Sequence, residues 1–140
     1  MKFKNMFSPI QIGPMTVKNR FVVPPMGNNF ANSDGTWSDE SVSYYGERAK
    51  GQFGLITIEA TVVHKGAKGG PKKPCLYDDN SIESLKKITD ACHEEGAKVS
   101  IQLQNAGPEG NAKNAGAPIQ AATAIASADL GHVRPHQGPL

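Results

Sequence analysis

The chain has 140 residues and a net charge of +2, from 15 Lys and Arg against 13 Asp and Glu. This length fits one domain with a core of its own, and the balanced charge without a basic stripe argues against nucleic-acid binding. No stretch approaches the ~18 apolar residues of a membrane span, and we expect no signal peptide because polar residues and prolines interrupt the N-terminus. Two cysteines, Cys75 and Cys92, cannot build a disulfide framework, so we expect a reducing, cytoplasmic location.

The first 25 residues predict a β-hairpin followed by a buried strand. Residues 10–12 and 15–17 are β-prone and flank Gly13-Pro14, a pair that is typical of turns. Residues 20–23 then form a short, largely apolar run, which Pro24-Pro25 end because proline cannot donate to a sheet. A continuous apolar run of this kind predicts a strand that is buried on both faces.

A polar loop at residues 28–38 precedes the first predicted helix. This helix begins at Ser38 or Asp39, which are good N-cap residues, and it ends near Gly51. Residues 53–58 follow as a continuous apolar run that contains β-branched residues. This run predicts a second buried strand.

A second helix and a third strand are predicted further along the chain. Asn80 and Glu83 have the spacing of a capping box at the start of the helix, and Gly96 ends it. Residues 98–103 form the third strand, and periodicity is lost in the Gly- and Ala-rich tail at residues 104–140. Strands and helices therefore alternate, and the apolar strands predict a parallel α/β fold.

A series of short motifs runs along the chain in a fixed order. The motifs are Phe7-Ser8-Pro9, Ile12-Gly13, Lys18-Asn19-Arg20, Pro25-Met26, Asp34-Gly35, Tyr45, Arg48-Ala49-Lys50-Gly51, Gly54-Leu55-Ile56, Glu59-Ala60, Tyr77-Asp78-Asp79, Gly96-Ala97-Lys98, Gln102-Leu103 and Ala122-Thr123-Ala124-Ile125. Each motif is weak alone, but together they resemble the start of the old yellow enzyme family, the FMN-dependent NAD(P)H:flavin oxidoreductases. The branch that they resemble most is that of the enoate and 2,4-dienoyl-CoA reductases.

The resemblance implies a (β/α)₈ TIM barrel whose base is closed by an N-terminal hairpin. A complete barrel of this type takes ~250 residues or more. Residues 1–140 therefore predict one partial domain, which holds the capping hairpin, three barrel strands, two helices and the loop that follows. We expect this chain to be an N-terminal fragment of the barrel or an incomplete gene product.

The resemblance also implies which residues contact the flavin. Active sites of such barrels lie at the carboxyl ends of the strands. A flavin needs a flat apolar wall, close backbone amides, a small residue under the ring and a partner for its pyrimidine edge. Gln102 offers a carbonyl and an NH₂ side by side, and we expect its amide to be buried. The cofactor-binding residues implied are Pro24, Pro25, Met26, Gly27, Ala60 and Gln102.

Four positions depart from the family pattern around the site. Gly27 replaces a residue that in many members donates towards flavin O4, and Asn29 replaces an aromatic residue that faces the substrate in some members. Asn105 and Pro108 stand where the family usually has His and Arg. Asn29 and Asn105 are the substrate-side candidates in this chain. The resemblance puts the His/Asn or His/His pair that holds the substrate, a proton-donating Tyr and the phosphate-binding loops beyond residue 140, so the catalytic residues are expected there.

The histidines and several other charged residues receive structural interpretations. The histidines at positions 64, 93, 132 and 136 lack ligand spacing, so no metal site is expected. Glu59 and Arg48 are interpreted as a structural pair below the ring. The lysines of residues 65–73 are interpreted as a solvated loop, with coenzyme A phosphates as the alternative partner.

Three functions compete at this point. The first is an FMN-dependent reductase of activated C=C bonds in a small enone, enoate or enoyl-CoA, with NADH or NADPH as donor and a homo-oligomer as the complete form. A [4Fe–4S] cluster would belong to the remaining part of a dienoyl-CoA-type protein. The runner-up is a non-catalytic, truncated remnant of the barrel. An aldolase-like barrel without flavin is disfavoured because no strand ends on a candidate Schiff-base lysine.

Overall fold

The computed structural model describes residues 3–121, and its first element is the predicted hairpin. Ile10–Ile12 (β1) and Met15–Val17 (β2) pair antiparallel, with Ile10 opposite Val17 and Ile12 opposite Met15. Gly13 adopts a φ of +54° in the turn, a conformation that favours glycine. The hairpin is therefore confirmed with the predicted bounds.

The main sheet consists of three parallel strands in sequence order. Two crossover helices connect the strands, so each strand lies beside the next one along the chain. A third, one-turn helix follows the last strand. The elements are β3 (Val22–Val23), α1 (Asp39–Lys50), β4 (Leu55–Val62), α2 (Ile82–Glu94), β5 (Lys98–Gln104) and α3 (Ala112–Ala115).

Both crossover helices pack on the same side of the sheet. Ile56 and Ile58 of β4 are completely buried against them, together with Ile88 and Cys92 of α2. Val99 and Ile101 of β5 pack against the same cluster. Sequential parallel strands with all helices on one side are the arrangement of a barrel wall, whereas a doubly wound sheet places helices on both sides.

The opposite face of the sheet is open among the described residues. The apolar run at residues 20–23 suits a strand that is buried on both faces, whereas three strands of a partial barrel are expected to leave their inner faces uncovered, as they do here. Along β5 the side chains of Val99 and Ile101 are half-buried, while Lys98, Ser100 and Gln102 are exposed. The difference arises because three strands with helices on one side leave the other face without a covering layer. We call this open side of β3, β4 and β5 the inner face.

The two helices begin differently from each other. Ser38 caps α1 as predicted, and its Oγ accepts a hydrogen bond from Ser41 N at 3.2 Å. The capping box predicted for α2 was wrong, because a 3₁₀ turn at Asp79–Ser81 precedes the helix and includes Asn80. Asp78 caps that turn by accepting from Asn80 N at 3.0 Å.

The strand ends also differ from the sequence-based bounds. The strand predicted at residues 20–23 is reduced to Val22–Val23, whereas β4 continues to Val62 and includes Ala60. The tail at residues 104–140 contains a 3₁₀ turn, Gly107–Glu109, and α3 within its described part. The motif at residues 122–125 lies outside the described residues, as do His132 and His136. Within residues 3–121, no helix is long and apolar enough to cross a membrane.

Candidate active site at the strand ends

The residues that the resemblance assigns to the flavin meet at the carboxyl ends of the three parallel strands. Ile58 pairs with Ile101 and Thr61 pairs with Leu103, so the intervening Ala60 lies at the level of Gln102 on the next strand. The remaining predicted residues follow directly after β3 at the same edge of the sheet. These are Pro24, Pro25, Met26 and Gly27.

A β-bulge shapes this edge. The register between β4 and β5 shifts between Ile58 and Thr61, and Glu59 and Ala60 lie at the shift. Tyr45 of α1 supports the bulge, because its hydroxyl accepts a hydrogen bond from Glu59 N at 3.0 Å. Bulges re-aim side chains and are frequent beside active sites.

The Glu59 carboxyl group lies behind the bulge and is completely buried. Its Oε2 accepts a hydrogen bond from Asn28 N at 3.3 Å, while Oε1 has no partner within the described part of the chain. Burial raises the pKa of Glu59, and the Asn28 hydrogen bond and the Lys73 ammonium oppose that rise. The carboxyl group therefore ties the segment after β3 to β4 at the candidate site.

The candidate cofactor residues differ in exposure. Pro25 and Ala60 are half-buried, whereas the Met26 side chain is 57% exposed. Gln102 is exposed as well, so the expectation of a buried amide was wrong. It points to the inner face, which no described residue covers. The Gln102 side chain makes no hydrogen bond to any residue between positions 3 and 121.

The two substrate-side candidates do not form a site of their own. Asn29 is exposed and adopts a φ of +60°, which is uncommon for a residue with a side chain. Asn105 is exposed after β5, and its Oδ1 accepts a hydrogen bond from Gly107 N at 2.8 Å. The oxygen of Asn105 is therefore engaged in its own turn.

Two interpretations of charged residues were wrong. Arg48 does not pair with Glu59: its Nη1 donates to Tyr44 O at 2.8 Å, and its guanidinium lies 3.2 Å from the centre of the Tyr44 ring. The loop at residues 65–73 is not wholly solvated, because Lys68 is buried and its Nζ donates to Ser33 O at 2.9 Å. Lys68 thus joins two loops that follow neighbouring strands.

Sequence reasoning missed three residues at this edge. Asn28 and Lys73 lie beside Gly27 and Glu59, and Tyr45 supports the bulge from below. Tyr45 has the spacing of an ordinary core residue on a helix, so its hydroxyl contact has no signal in the sequence. Lys73 lies within a lysine-rich loop, and only the folded chain brings it to Gly27.

The residues at this edge fit a flavin in their chemistry. The Gln102 amide has no hydrogen-bond partner among residues 3–121, and Ala60 has no side chain beyond Cβ that would obstruct a ring. Asn28 Nδ2 and Glu59 Oε1 are buried and have no hydrogen-bond partner among residues 3–121. No cluster of three or more His, Cys, Asp or Glu side chains between residues 3 and 121 could hold a metal ion.

Comparison with known proteins identifies the family. Residues 5–133 match the model of the NADH:flavin oxidoreductase / NADH oxidase family. The chain belongs to this family. Members of the family bind FMN, use NAD(P)H and fold as TIM barrels, so the fold predicted from the motifs is confirmed.

Three solved structures illustrate the similarity. The old yellow enzyme from Pichia sp. AKU4542 is 35% identical, with a TM-score of 0.79, over 86% of this chain and 32% of that chain. The homologue from Zymomonas mobilis is 30% identical, with a TM-score of 0.82, over 96% and 38%. A 2-naphthoyl-CoA reductase is 32% identical, with a TM-score of 0.77, over 83% and 18%. The chain thus spans about a third of the two old yellow enzymes.

Proposed function

We propose that this chain is the N-terminal third of an FMN-dependent NAD(P)H oxidoreductase that reduces activated C=C bonds. The observation that supports this most is the β4–β5 register, which sets Ala60 beside Gln102 at the carboxyl edge of the sheet. The segment after β3 ends at the same edge. We assign cofactor contacts to six residues, namely Pro24, Pro25, Met26, Gly27, Ala60 and Gln102.

Each of these residues has a distinct role in the proposal. The Gln102 amide pairs with the pyrimidine edge of the flavin, since it offers a donor and an acceptor side by side. Pro25 and Met26 supply an apolar wall, and Ala60 leaves room for close approach of the ring. Bound FMN supplies hydride transfer between NAD(P)H and the C=C bond, while the protein positions and tunes it.

The substrate in this proposal is a small enone, enoate or enoyl-CoA. Similarity to a 2-naphthoyl-CoA reductase supports a substrate of the thioester class. Asn29 and Asn105 lie at the ends of the loops that would face it. The catalytic residues are expected outside this chain, as is any [4Fe–4S] cluster. We further propose a cytoplasmic, homo-oligomeric enzyme, consistent with the free cysteines Cys75 and Cys92.

A non-catalytic remnant is the second candidate function. The open inner face favours it, because three parallel strands cannot enclose a cofactor without further strands. The two candidates differ in whether the chain, once continued, binds FMN. The experiments use a protein in which this chain is continued by the remaining strands, taken from its own gene or from the Zymomonas mobilis homologue. We call this protein the completed barrel.

The test is a spectral and kinetic assay of the completed barrel. We expect a yellow protein with bound FMN that NADH or NADPH reduces and that an enone or enoyl-CoA reoxidises. Circular dichroism checks that the barrel is folded. A folded, colourless protein that fails to take up added FMN would contradict the proposal and support the remnant.

A further inference from the structure

The Lys73 ammonium occupies the space that a side chain at position 27 would take. A Cβ atom added to Gly27 would lie 3.0 Å from Lys73 Nζ and 3.8 Å from Glu59 Oε2. The stem of Lys73 runs along a second glycine, since a Cβ atom at Gly70 would lie 3.6 Å from Lys73 Cγ. Two glycines therefore leave a path by which the lysine reaches the end of β3.

The Lys73 ammonium has no partner among the described residues. Lys73 is half-buried, and its Nζ makes no hydrogen bond or ion pair with any residue between positions 3 and 121. The ammonium is therefore available to donate to a polar acceptor beside Gly27.

The neighbouring Glu59 carboxyl group supports the position of the ammonium. Glu59 Oε2 and Lys73 Nζ both lie within 4 Å of the position that a Cβ atom at Gly27 would take. The positive charge of Lys73 counteracts the rise that burial causes in the pKa of Glu59. Asn28 N donates to the same carboxyl group at 3.3 Å and fixes the backbone after Gly27. The lysine is therefore directed to the segment that forms one wall of the candidate flavin site.

We propose that Lys73 Nζ donates a hydrogen bond to the acceptor edge of the bound flavin beside Gly27. Lys73 would thereby replace the side-chain donor that the family resemblance places at position 27. This inference rests on the proposed flavin site and adds a residue that sets the flavin's potential. Negative charge accumulates on that edge when the flavin is reduced, so an ammonium there stabilises the reduced form. Lys73 raises the midpoint potential.

The test compares Lys73→Met and Lys73→Arg with the unsubstituted completed barrel. Removing the ammonium should weaken binding of reduced FMN roughly tenfold relative to oxidised FMN, which lowers the two-electron midpoint potential by about 30 mV. Lys73→Arg keeps a charged donor and should retain most of the potential. Redox titration against a reference dye measures all three proteins.

Lys72→Met is the matched control. Lys72 precedes Lys73 in the same loop and is exposed, so its replacement should leave the potential unchanged. If Lys72→Met and Lys73→Met lower the midpoint potential equally, the effect comes from the overall charge of the loop, and the proposal is wrong. If Lys73→Met loses FMN, Lys73→Gln keeps the stem without the charge, and an unchanged potential in that variant contradicts the proposal.

The outcomes separate this inference from the function on which it rests. An unsubstituted completed barrel that binds no FMN contradicts the proposed function. A barrel that binds FMN, but whose potential is the same with Met or Lys at position 73, contradicts only the role of Lys73. A Lys73→Met variant with a raised KM for an enoyl-CoA and an unchanged potential would assign the ammonium to the substrate instead.

Discussion

The two sides of the parallel sheet differ in what they contact. On the helix side, Ile56, Ile58 and Ile88 are completely buried. On the inner face, Ser100 and Gln102 are exposed. The helix side is a packed hydrophobic core. The inner face and its carboxyl edge are surfaces that further barrel strands and a cofactor would cover.

Under the proposed function, packing and cofactor binding would use different sides of the same strands. Residues of β4 with even numbers up to Ile58 face the helices and hold the layers together. The bulge at Glu59 and Ala60 then changes the alternation just before the carboxyl edge. The strands are therefore regular where they pack and irregular where the candidate site lies.

The largest expected effect concerns the inner face of the chain on its own. Residues 1–140 should self-associate or remain loosely packed, because among residues 3–121 nothing covers the inner face and no strand pairs with the outer edge of β5. The completed barrel should be free of this tendency. Analytical ultracentrifugation with thermal unfolding checks it, and a cooperative transition in a monomeric 140-residue chain would contradict it.

Shortening a buried side chain on the helix side of the sheet should have the next largest effect. Ile58→Ala in the completed barrel should lower the free energy of unfolding by about 2–5 kcal/mol, because it leaves a cavity in a fully buried cluster. Ser100→Ala on the inner face removes one hydrogen bond, 2.8 Å to Thr57 Oγ1, and should cost about 1 kcal/mol. Urea unfolding of both variants measures the contrast, and equal losses would refute it.

Features that depend on local sequence chemistry could be predicted, whereas features that depend on contacts between distant segments could not. The hairpin turn at Gly13 and the Ser38 cap depend on local chemistry, so their positions were predicted. The open inner face depends on which strands are present, and the bulge at Ala60 depends on pairing between strands. Lys73 and Gly27 are 46 positions apart, and no local pattern connects them.

The Tyr45 hydroxyl should stabilise the β-bulge, because its hydrogen bond connects α1 to Glu59. Tyr45→Phe removes the acceptor of Glu59 N and should lower the free energy of unfolding by about 1–3 kcal/mol, since the buried N–H loses its partner. Tyr44→Phe is the control, because the Tyr44 hydroxyl has no hydrogen bond to any described residue. Urea unfolding that shows the same loss for both variants would rule out this role of Tyr45.

A smaller effect concerns the pH dependence of stability. Burial raises the pKa of Glu59 in the folded state, so its contribution to stability is present at low pH and is lost as pH rises through that value. Glu59→Gln should remove this loss, and its stability relative to the unsubstituted protein should increase from pH 4 to pH 7. Glu83→Gln, at an exposed position of α2, should show no such trend in urea unfolding. If the stability of Glu59→Gln relative to the unsubstituted protein instead decreased from pH 4 to pH 7, the stated direction of the Glu59 pKa shift would be wrong.

The smallest expected effect concerns the reactivity of the two cysteine thiols. Burial raises the pKa of Cys92 to about 11, and burial also raises the pKa of Cys75. Both thiols should therefore resist a disulfide reagent at pH 8 in the folded completed barrel and react after unfolding in urea. Rapid reaction of Cys92 in the folded protein would show that the packing around α2 is open.

The measurement that tests the central claim most directly is a calorimetric titration of FMN into the completed barrel with and without Gln102→Leu. Loss of the amide should weaken FMN binding roughly tenfold, because one or two hydrogen bonds to the flavin are lost. Ser100→Ala, one pleat earlier on the same face, should leave the affinity unchanged. Equal affinities in all three proteins would contradict the claim that the carboxyl edge of these strands holds the flavin.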